Sequence, residues 1–231
     1  NFDEVSAANL LRSLNLVFDG CAVDRECGAA FPDLRRQFAD LVARADRRAL
    51  PLVLDGADTG AKRVMVRGAQ VVDAIYAALH DGQAIPVIPR ILDSAVSGRY
   101  ASLSTLVRGN QGPSSFTWGL RYSTWCADEA PFEDAARVAA QVSPALGLGG
   151  IDEGAATPEV CRAWNVKASP PVENEPVTSS LPALVFAGEF DPDTPADWGR
   201  QLLESMPNAV YVEVRGRSHG AGFSPCGGEI T

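Results

Sequence analysis

Two side chains that can orient or move a proton follow apolar runs near the C-terminus. Asp191 lies four residues beyond the run that ends at Ala187, and His219 lies five residues beyond Val214. In open parallel sheets, reactive groups collect just past the carboxyl ends of the strands. A carboxylate that orients an imidazole, which in turn takes a proton, forms two thirds of a nucleophilic triad. The spacing therefore predicts Asp191 as the orienting acid and His219 as the general base.

The same residue types also have structural interpretations. Asp191 stands before a proline, where an aspartate commonly closes a turn, and Asp193 or Thr194 is a candidate cap for a helix with Pro195 at its first position. The other histidine, His80, ends an apolar helical pattern and is predicted to interact with the helix dipole.

The elements that must position these groups form a strand, a helix and a second strand. "PALVFAG" is a continuous apolar strand, "PADWGRQLLESM" has helical character and "NAVYVEVRG" is again a strand. This order predicts a βαβ unit of a parallel sheet, and hence the α/β fold class. Two strands leave bare edges, so the remaining strands are expected from a segment outside this chain.

The preceding part of the chain is predicted to be mostly helical. Apolar residues recur with helical spacing over 4–18, 31–45 and 67–80, and a further helix is predicted around 88–98. A connector rich in Pro, Ser and acidic residues follows and divides the chain into two predicted parts. Residues 1–176 form a mostly helical cap and its return to the core, and residues 177–231 form the C-terminal part of the core.

Composition narrows the function classes. The 231 residues include 20 basic and 29 acidic side chains, a formal charge of −9, so nucleic acid is an unsuitable partner. No apolar run reaches the length of a membrane span, and the first residues do not form a signal peptide. With two histidines in the chain, the five cysteines favour disulfides over a metal site. We expect the pairs Cys21–Cys27 and Cys126–Cys161, which indicate export, with Cys226 left over.

The stretch "PALVFAGEFDPDTPADWGRQLLESMPNAVYVEVRGRSHG" resembles the C-terminal segment of α/β-hydrolases of the tripeptidyl-aminopeptidase type. The G-x-x-D of that family matches Gly188 to Asp191, so the resemblance implies Asp191, rather than Asp193, as triad acid and His219 as base. The segment "LVFDGCAVDRECGAAFPDLRRQF" looks like the start of the family's helical cap.

Three departures from the family pattern matter. No G-x-S-x-G occurs, so the nucleophile elbow is missing. Ser218 replaces the glycine usual before the histidine, and Cys226 matches a family cysteine that pairs beyond Thr231. We therefore expect a partner segment carrying the serine, either cleaved from the same precursor or simply not included in this chain.

The resemblance implies a serine hydrolase that is secreted, periplasmic or held in the cell envelope, and that releases short N-terminal peptides or amino acids through an acyl-enzyme, with no cofactor or metal. A carboxylesterase or lipase with the same triad is the alternative, and an inactive hydrolase-like binding protein is another. Aromatic residues near the return to the core are candidates for a substrate pocket or for cap packing: Phe116, Trp118, Tyr122, Trp125 and Trp164. Asp128 and Glu129 are either acceptors of a substrate amino terminus or solvated loop charges.

Overall fold

The protein is described by a computed structural model, which covers residues 2–56, 60–109, 117–141 and 157–223. Phe116 and Cys226 lie outside these ranges. The helices are α1 (Ser6–Val23), α2 (Arg25–Ala30), α3 (Leu34–Arg47), α4 (Gly68–Leu79), α5 (Ile88–Val96), α6 (Ala101–Gly109), α7 (Trp118–Asp128), α8 (Ala135–Gln141), α9 (Pro158–Trp164) and α10 (Ala196–Ser205). The strands are β1 (Leu50–Gly56), β2 (Gly60–Val66), β3 (Ala183–Gly188) and β4 (Ala209–Val214).

One hydrophobic core is built from α1, α3 to α6 and the β1–β2 hairpin. Leu10 and Leu14 of α1 and Leu41 of α3 are almost fully buried. Their spacing matches the apolar stripe of an amphipathic helix, which explains why these segments are helical and which face they bury. The helices predicted from periodicity over 4–18, 31–45, 67–80 and 88–98 are present as α1, α3, α4 and α5.

After α3, the strands β1 and β2 form an antiparallel hairpin. Leu50 pairs with Val66, and Leu52 pairs with Val64. Alternate residues of β1 are buried, as expected for a sheet with one face on a core, and α6 packs against this strand.

The C-terminal unit is the predicted strand, helix and strand. β3 and β4 pair in parallel from Ala183 opposite Ala209 to Gly188 opposite Val214. Gly199 of α10 lies directly against Tyr211, whose hydroxyl donates to the Ala196 carbonyl at 3.0 Å, so α10 covers one sheet face. Among the described residues, the larger apolar core lies before residue 110.

The helix α10 begins differently from the prediction. Pro195 occupies the N-cap position and Ala196 is the first helical residue, so Pro195 is not at the first helical position. Neither Asp193 nor Thr194 caps the helix, because both side chains are engaged in the preceding loop.

Both disulfides expected from the sequence are formed. Cys21–Cys27 joins α1 to α2, and Cys126–Cys161 joins α7 to α9, with Cα–Cα distances of 5.0 and 5.2 Å. Within the described ranges, no helix is both long and apolar enough to cross a bilayer.

The two disulfides should differ in their effect on stability. Cys126–Cys161 spans 35 residues and Cys21–Cys27 spans six. Chain entropy predicts losses of about 3.8 and about 2.2 kcal/mol on removal, because the longer loop restricts the unfolded chain more. Urea unfolding of Cys126→Ser/Cys161→Ser and of Cys21→Ser/Cys27→Ser should show the larger loss for the first pair. Equal losses, or the reverse order, would contradict this account.

Candidate active site

The carboxylate of Asp191 organises the loop between β3 and α10. The residue is 3% exposed. Its Oδ1 accepts the backbone N–H groups of Asp193 and Thr194, each at 2.9 Å, and its Oδ2 accepts the Thr194 hydroxyl at 2.8 Å. Asp191 therefore closes a turn, as the structural interpretation holds, while it also faces the candidate base.

The imidazole of His219 lies beside this carboxylate. Its Nδ1 is 3.2 Å from Oδ1 and 3.1 Å from Oδ2 of Asp191. The His219 side chain is 47% exposed, and no residue in the described ranges forms a hydrogen bond with its Nε2. An acceptor on Nδ1 fixes the tautomer that leaves the Nε2 lone pair available to take a proton.

A close backbone approach sets the distance between the two loops. A Cβ atom at Gly188 would lie 2.2 Å from the Ser218 carbonyl oxygen, so only glycine fits where β3 meets the loop before His219. The Phe190 N–H donates to the Arg217 carbonyl at 2.9 Å and ties the same loops together.

Ser218, where the resembling family has glycine, is buried at 3% exposure. Its hydroxyl donates to the Leu79 carbonyl at the end of α4. Gly216 and Gly220, with φ of 67° and 70°, bracket this segment in left-handed conformations that favour glycine. Ser218 is therefore an anchor for the His219 loop, and its hydroxyl is already used.

The first helix holds the Asp191 loop from its other side. Arg12 donates to the Glu189 carbonyl at 2.9 Å and to the Asp191 carbonyl at 2.5 Å. Ser13 donates to the same Asp191 oxygen at 3.3 Å. Burial lowers the pKa of the Arg12 guanidinium, and nearby carboxylates, of which Asp191 is the strongest, oppose that shift.

A second acid and a second histidine stand next to the first pair. His80 Nε2 is 2.8 Å from Asp193 Oδ2, and the Tyr76 hydroxyl donates to Asp193 Oδ1. His80 follows α4 as its C-cap, and its Nδ1 contacts the Tyr76 carbonyl at 3.0 Å, so the expected interaction with the helix end is present. The contact with Asp193 was not predicted. Tyr76 and His80 are four residues apart on one helix face, and this spacing was the sequence signal that could have indicated a shared partner.

The aromatic residues predicted to bind substrate fall into two groups. Trp118, Tyr122 and Trp164 form a row, with ring centroids 5.8 and 5.5 Å apart, and both tryptophans are more than 40% exposed. Trp125 is separate from this row: its Nε1 donates to Asp3 at 2.9 Å, and the Arg121 guanidinium lies 3.6 Å from its ring centroid.

Two further acidic side chains lie close to Asp3, the partner of Trp125. Burial raises the pKa of Glu129, and burial with the charge of Asp3 raises the pKa of Glu133 to about 7. Arg121 is close enough to Asp3, Asp193 and Glu129 to feel their charges. Arg121 therefore lies between the acidic residues near α7, Asp3 and Glu129, and Asp193 of the candidate site.

The centre of the two loops also holds residue types that can bind a cation. Asp191, Asp193 and His219 each offer one atom within 4.8 Å of the others. The Asp191 oxygens already accept backbone and hydroxyl hydrogens, and the Asp193 carboxylate is held by His80 and Tyr76. The geometry is that of hydrogen-bonded acid–imidazole pairs.

The parallel β3–β4 pair, with an acid and a histidine beyond the strand ends, is the arrangement found at the C-terminal end of an α/β-hydrolase core. Residues 151–230 match the family model of the TAP-like proteins, which are hydrolases of this type. The match supports the resemblance seen in the sequence and indicates a hydrolase. The curated proteins contain no match to the chain.

The contact between Gly188 and Ser218 gives a stability prediction. Gly188→Ala should lower the free energy of unfolding by about 1–3 kcal/mol, because the added methyl group forces the two loops apart. Gly20→Ala is the matched control: nothing lies within 4 Å of its Cβ position in α1, so it should be neutral or stabilising. Urea unfolding measures both, and equal effects would contradict the proposed contact.

The raised pKa of Glu133 predicts a pH dependence of stability. Because its folded-state pKa, about 7, exceeds the ordinary value of 4.5, Glu133 stabilises the fold below about pH 4.5 and that contribution is lost as the pH rises through 7. Glu133→Gln should remove this part of the profile. Glu173→Gln, at an exposed position, is the control and should leave the profile unchanged. Urea unfolding from pH 4.5 to 8 measures the free energy of unfolding of the native protein and the two variants. Parallel pH profiles for all three proteins would refute the role given to Glu133.

Proposed function

We propose that this chain is part of a serine hydrolase in which Asp191 orients His219 and His219 acts as general base. One observation carries the proposal: a buried carboxylate bonds Nδ1 of an imidazole whose side chain is half exposed, inside the region that matches TAP-like proteins. Arg12 holds the Asp191 loop to α1, and Ser218 holds the His219 loop to the end of α4.

The reaction follows from this geometry. A serine supplied by a separate segment gives its proton to His219 Nε2 as its oxygen attacks the substrate carbonyl carbon. Asp191 stabilises the imidazolium that results. The imidazolium then protonates the leaving group, an acyl-enzyme remains, and His219 activates water to release the acid and restore the serine. The chemistry needs no cofactor or metal.

The partner in this proposal is an N-terminal hydrolase segment that carries G-x-S-x-G and completes the sheet. Leu184 and Val210 are register partners on the face opposite α10, and they are 40% and 59% exposed. Parallel sheets are normally covered on both faces, and among the described residues no other strand pairs with β3 or β4. Residues 1–176 would then serve as cap, and 177–231 would complete the core.

Peptidase activity that releases short N-terminal peptides or amino acids is the preferred specificity. The acidic residues Glu129 and Glu133 lie close to Asp3, which bonds Trp125, and they offer carboxyl groups for a substrate ammonium group. The row of Trp118, Tyr122 and Trp164 offers apolar surface. The two disulfides suit a secreted or cell-envelope protein. An esterase or lipase would use the same triad without the ammonium site.

Fluorophosphonate labelling tests the hydrolase itself. We expect the purified protein to include a serine-carrying segment that is labelled, and His219→Ala to reduce turnover by at least about 10³-fold because the general base is lost. Arg90→Ala, an exposed change on α5, is the control and should retain full turnover. A protein with no labelled segment and no turnover would instead be the inactive binding protein.

Substrate choice separates the two enzyme classes. Peptide anilides with a free amino terminus should be cleaved better than their N-acetylated forms, and Glu129→Gln/Glu133→Gln should reduce that preference by raising KM. Preferential cleavage of p-nitrophenyl esters, insensitive to both changes, would favour the esterase.

A further inference from the structure

His80 faces hydrogen-bond acceptors with both ring nitrogens. Its Nε2 is 2.8 Å from a carboxylate oxygen of Asp193, and its Nδ1 is 3.0 Å from the Tyr76 carbonyl. A carbonyl and an ionised carboxylate only accept, so both contacts are hydrogen bonds when both ring nitrogens carry a hydrogen. The doubly protonated ring satisfies both contacts, and the C-terminal end of α4 favours its positive charge.

The Asp193 carboxylate is thereby held just outside hydrogen-bonding distance of the candidate base. Asp193 Oδ2 is 3.9 Å from His219 Nδ1, whereas the Asp191 oxygens are at 3.1 and 3.2 Å. The rings of His80 and His219 are 5.4 Å apart. Two carboxylates thus face the same nitrogen, and one of them is engaged by His80 and Tyr76.

Other charged groups around the pair belong to four elements. Asp191 and Asp193 come from the β3–α10 loop, and Arg121 on α7 feels the charge of Asp193. Arg217, before His219, approaches Gly82 just beyond α4, and Asp81 accepts the Gln83 N–H on the outer side of the same turn. His80 Nε2 contacts Asp193 directly at 2.8 Å, and the ring carries a positive charge there when both of its nitrogens are protonated.

We infer that His80, with Tyr76, is a positioning residue that neutralises Asp193 and restrains it, so that Asp191 alone orients His219. The inference rests on the proposed role of His219 as general base. When His80 is cationic, the His80–Asp193 pair has no net charge beside His219. Without that cation, the negative charge of Asp193 is offset by Arg121 without direct contact. The charge that remains beside Nδ1 favours the imidazolium form of His219, so a higher pH is needed before His219 can accept a proton.

Residues 1–231 contain two histidines, so NMR of the imidazole ring protons can follow the protonation of His219. In His80→Gln the imidazole that remains within residues 1–231 is that of His219, and the introduced amide can still donate to Asp193 without carrying a charge. The midpoint of the His219 titration should rise by about 0.5 to 1 pH unit relative to the native protein, a modest shift because the ring is half exposed. An unchanged or lower midpoint would overturn the inference.

A charge-balance cycle separates electrostatics from general disruption. In His80→Gln/Asp193→Asn both charges are removed, so the midpoint should return to within about 0.2 unit of the native value. Asp81→Asn removes a carboxylate at the same turn that does not contact either ring, and it should leave the midpoint unchanged. If the midpoint of the double variant does not return, or if Asp81→Asn shifts it by the same amount as His80→Gln, a specific effect of the His80–Asp193 pair is refuted.

Turnover supplies the second readout. The acidic limb of kcat/KM should move to higher pH in His80→Gln by the same amount as the NMR midpoint, with the plateau reduced less than about tenfold. A uniform loss at every pH would indicate a merely structural role and overturn the inference. If His219→Ala leaves turnover intact, the proposed function fails, whereas the NMR cycle still decides whether His80 and Asp193 control the His219 ring.

Discussion

The buried carboxylate of Asp191 is the constraint on which the site depends. An ionised group at 3% exposure is tolerable only when its oxygens are satisfied. Two backbone N–H groups, the Thr194 hydroxyl and His219 Nδ1 supply those contacts. The turn after β3 and the orientation of the imidazole therefore have a common cause, and the structural and catalytic interpretations of this aspartate are complementary.

The same turn is joined to the main hydrophobic core through α1. Leu10 and Leu14 bury one side of this helix, while Arg12 and Ser13 bond the Asp191 carbonyl. These bonds matter because a backbone carbonyl in a half-buried loop is costly to leave without a partner. A large apolar cluster thus fixes the place of a loop that belongs to a small βαβ unit with few buried residues of its own.

The sequence predicted the features that arise from local patterns. Continuous apolar runs identify β3 and β4, and the polar residues after them include Asp191 and His219, whose side chains are in contact in the structure. The contacts of Arg12 and His80 with this loop were not predicted, because they join residues 179 and 113 positions apart and no spacing rule encodes them. The helix-cap prediction was wrong for a related reason: the Asp191 turn already uses the Thr194 hydroxyl, so the helix starts after Pro195 without a side-chain cap.

Ser218 changes what the loop before His219 can do. Gly216 and Gly220 already flank this segment, and a glycine at position 218 would give its backbone further conformational freedom. With serine at this position, the hydroxyl instead bonds the Leu79 carbonyl. Leu79 immediately precedes His80, and Ser218 immediately precedes His219. The Ser218–Leu79 hydrogen bond therefore connects the two backbone segments that carry the histidines. Less conformational entropy would then be lost on aligning His219 for its proposed role as a base. The substitution therefore favours a fixed relation between the two imidazoles, which an electrostatic coupling between His80, Asp193 and His219 requires.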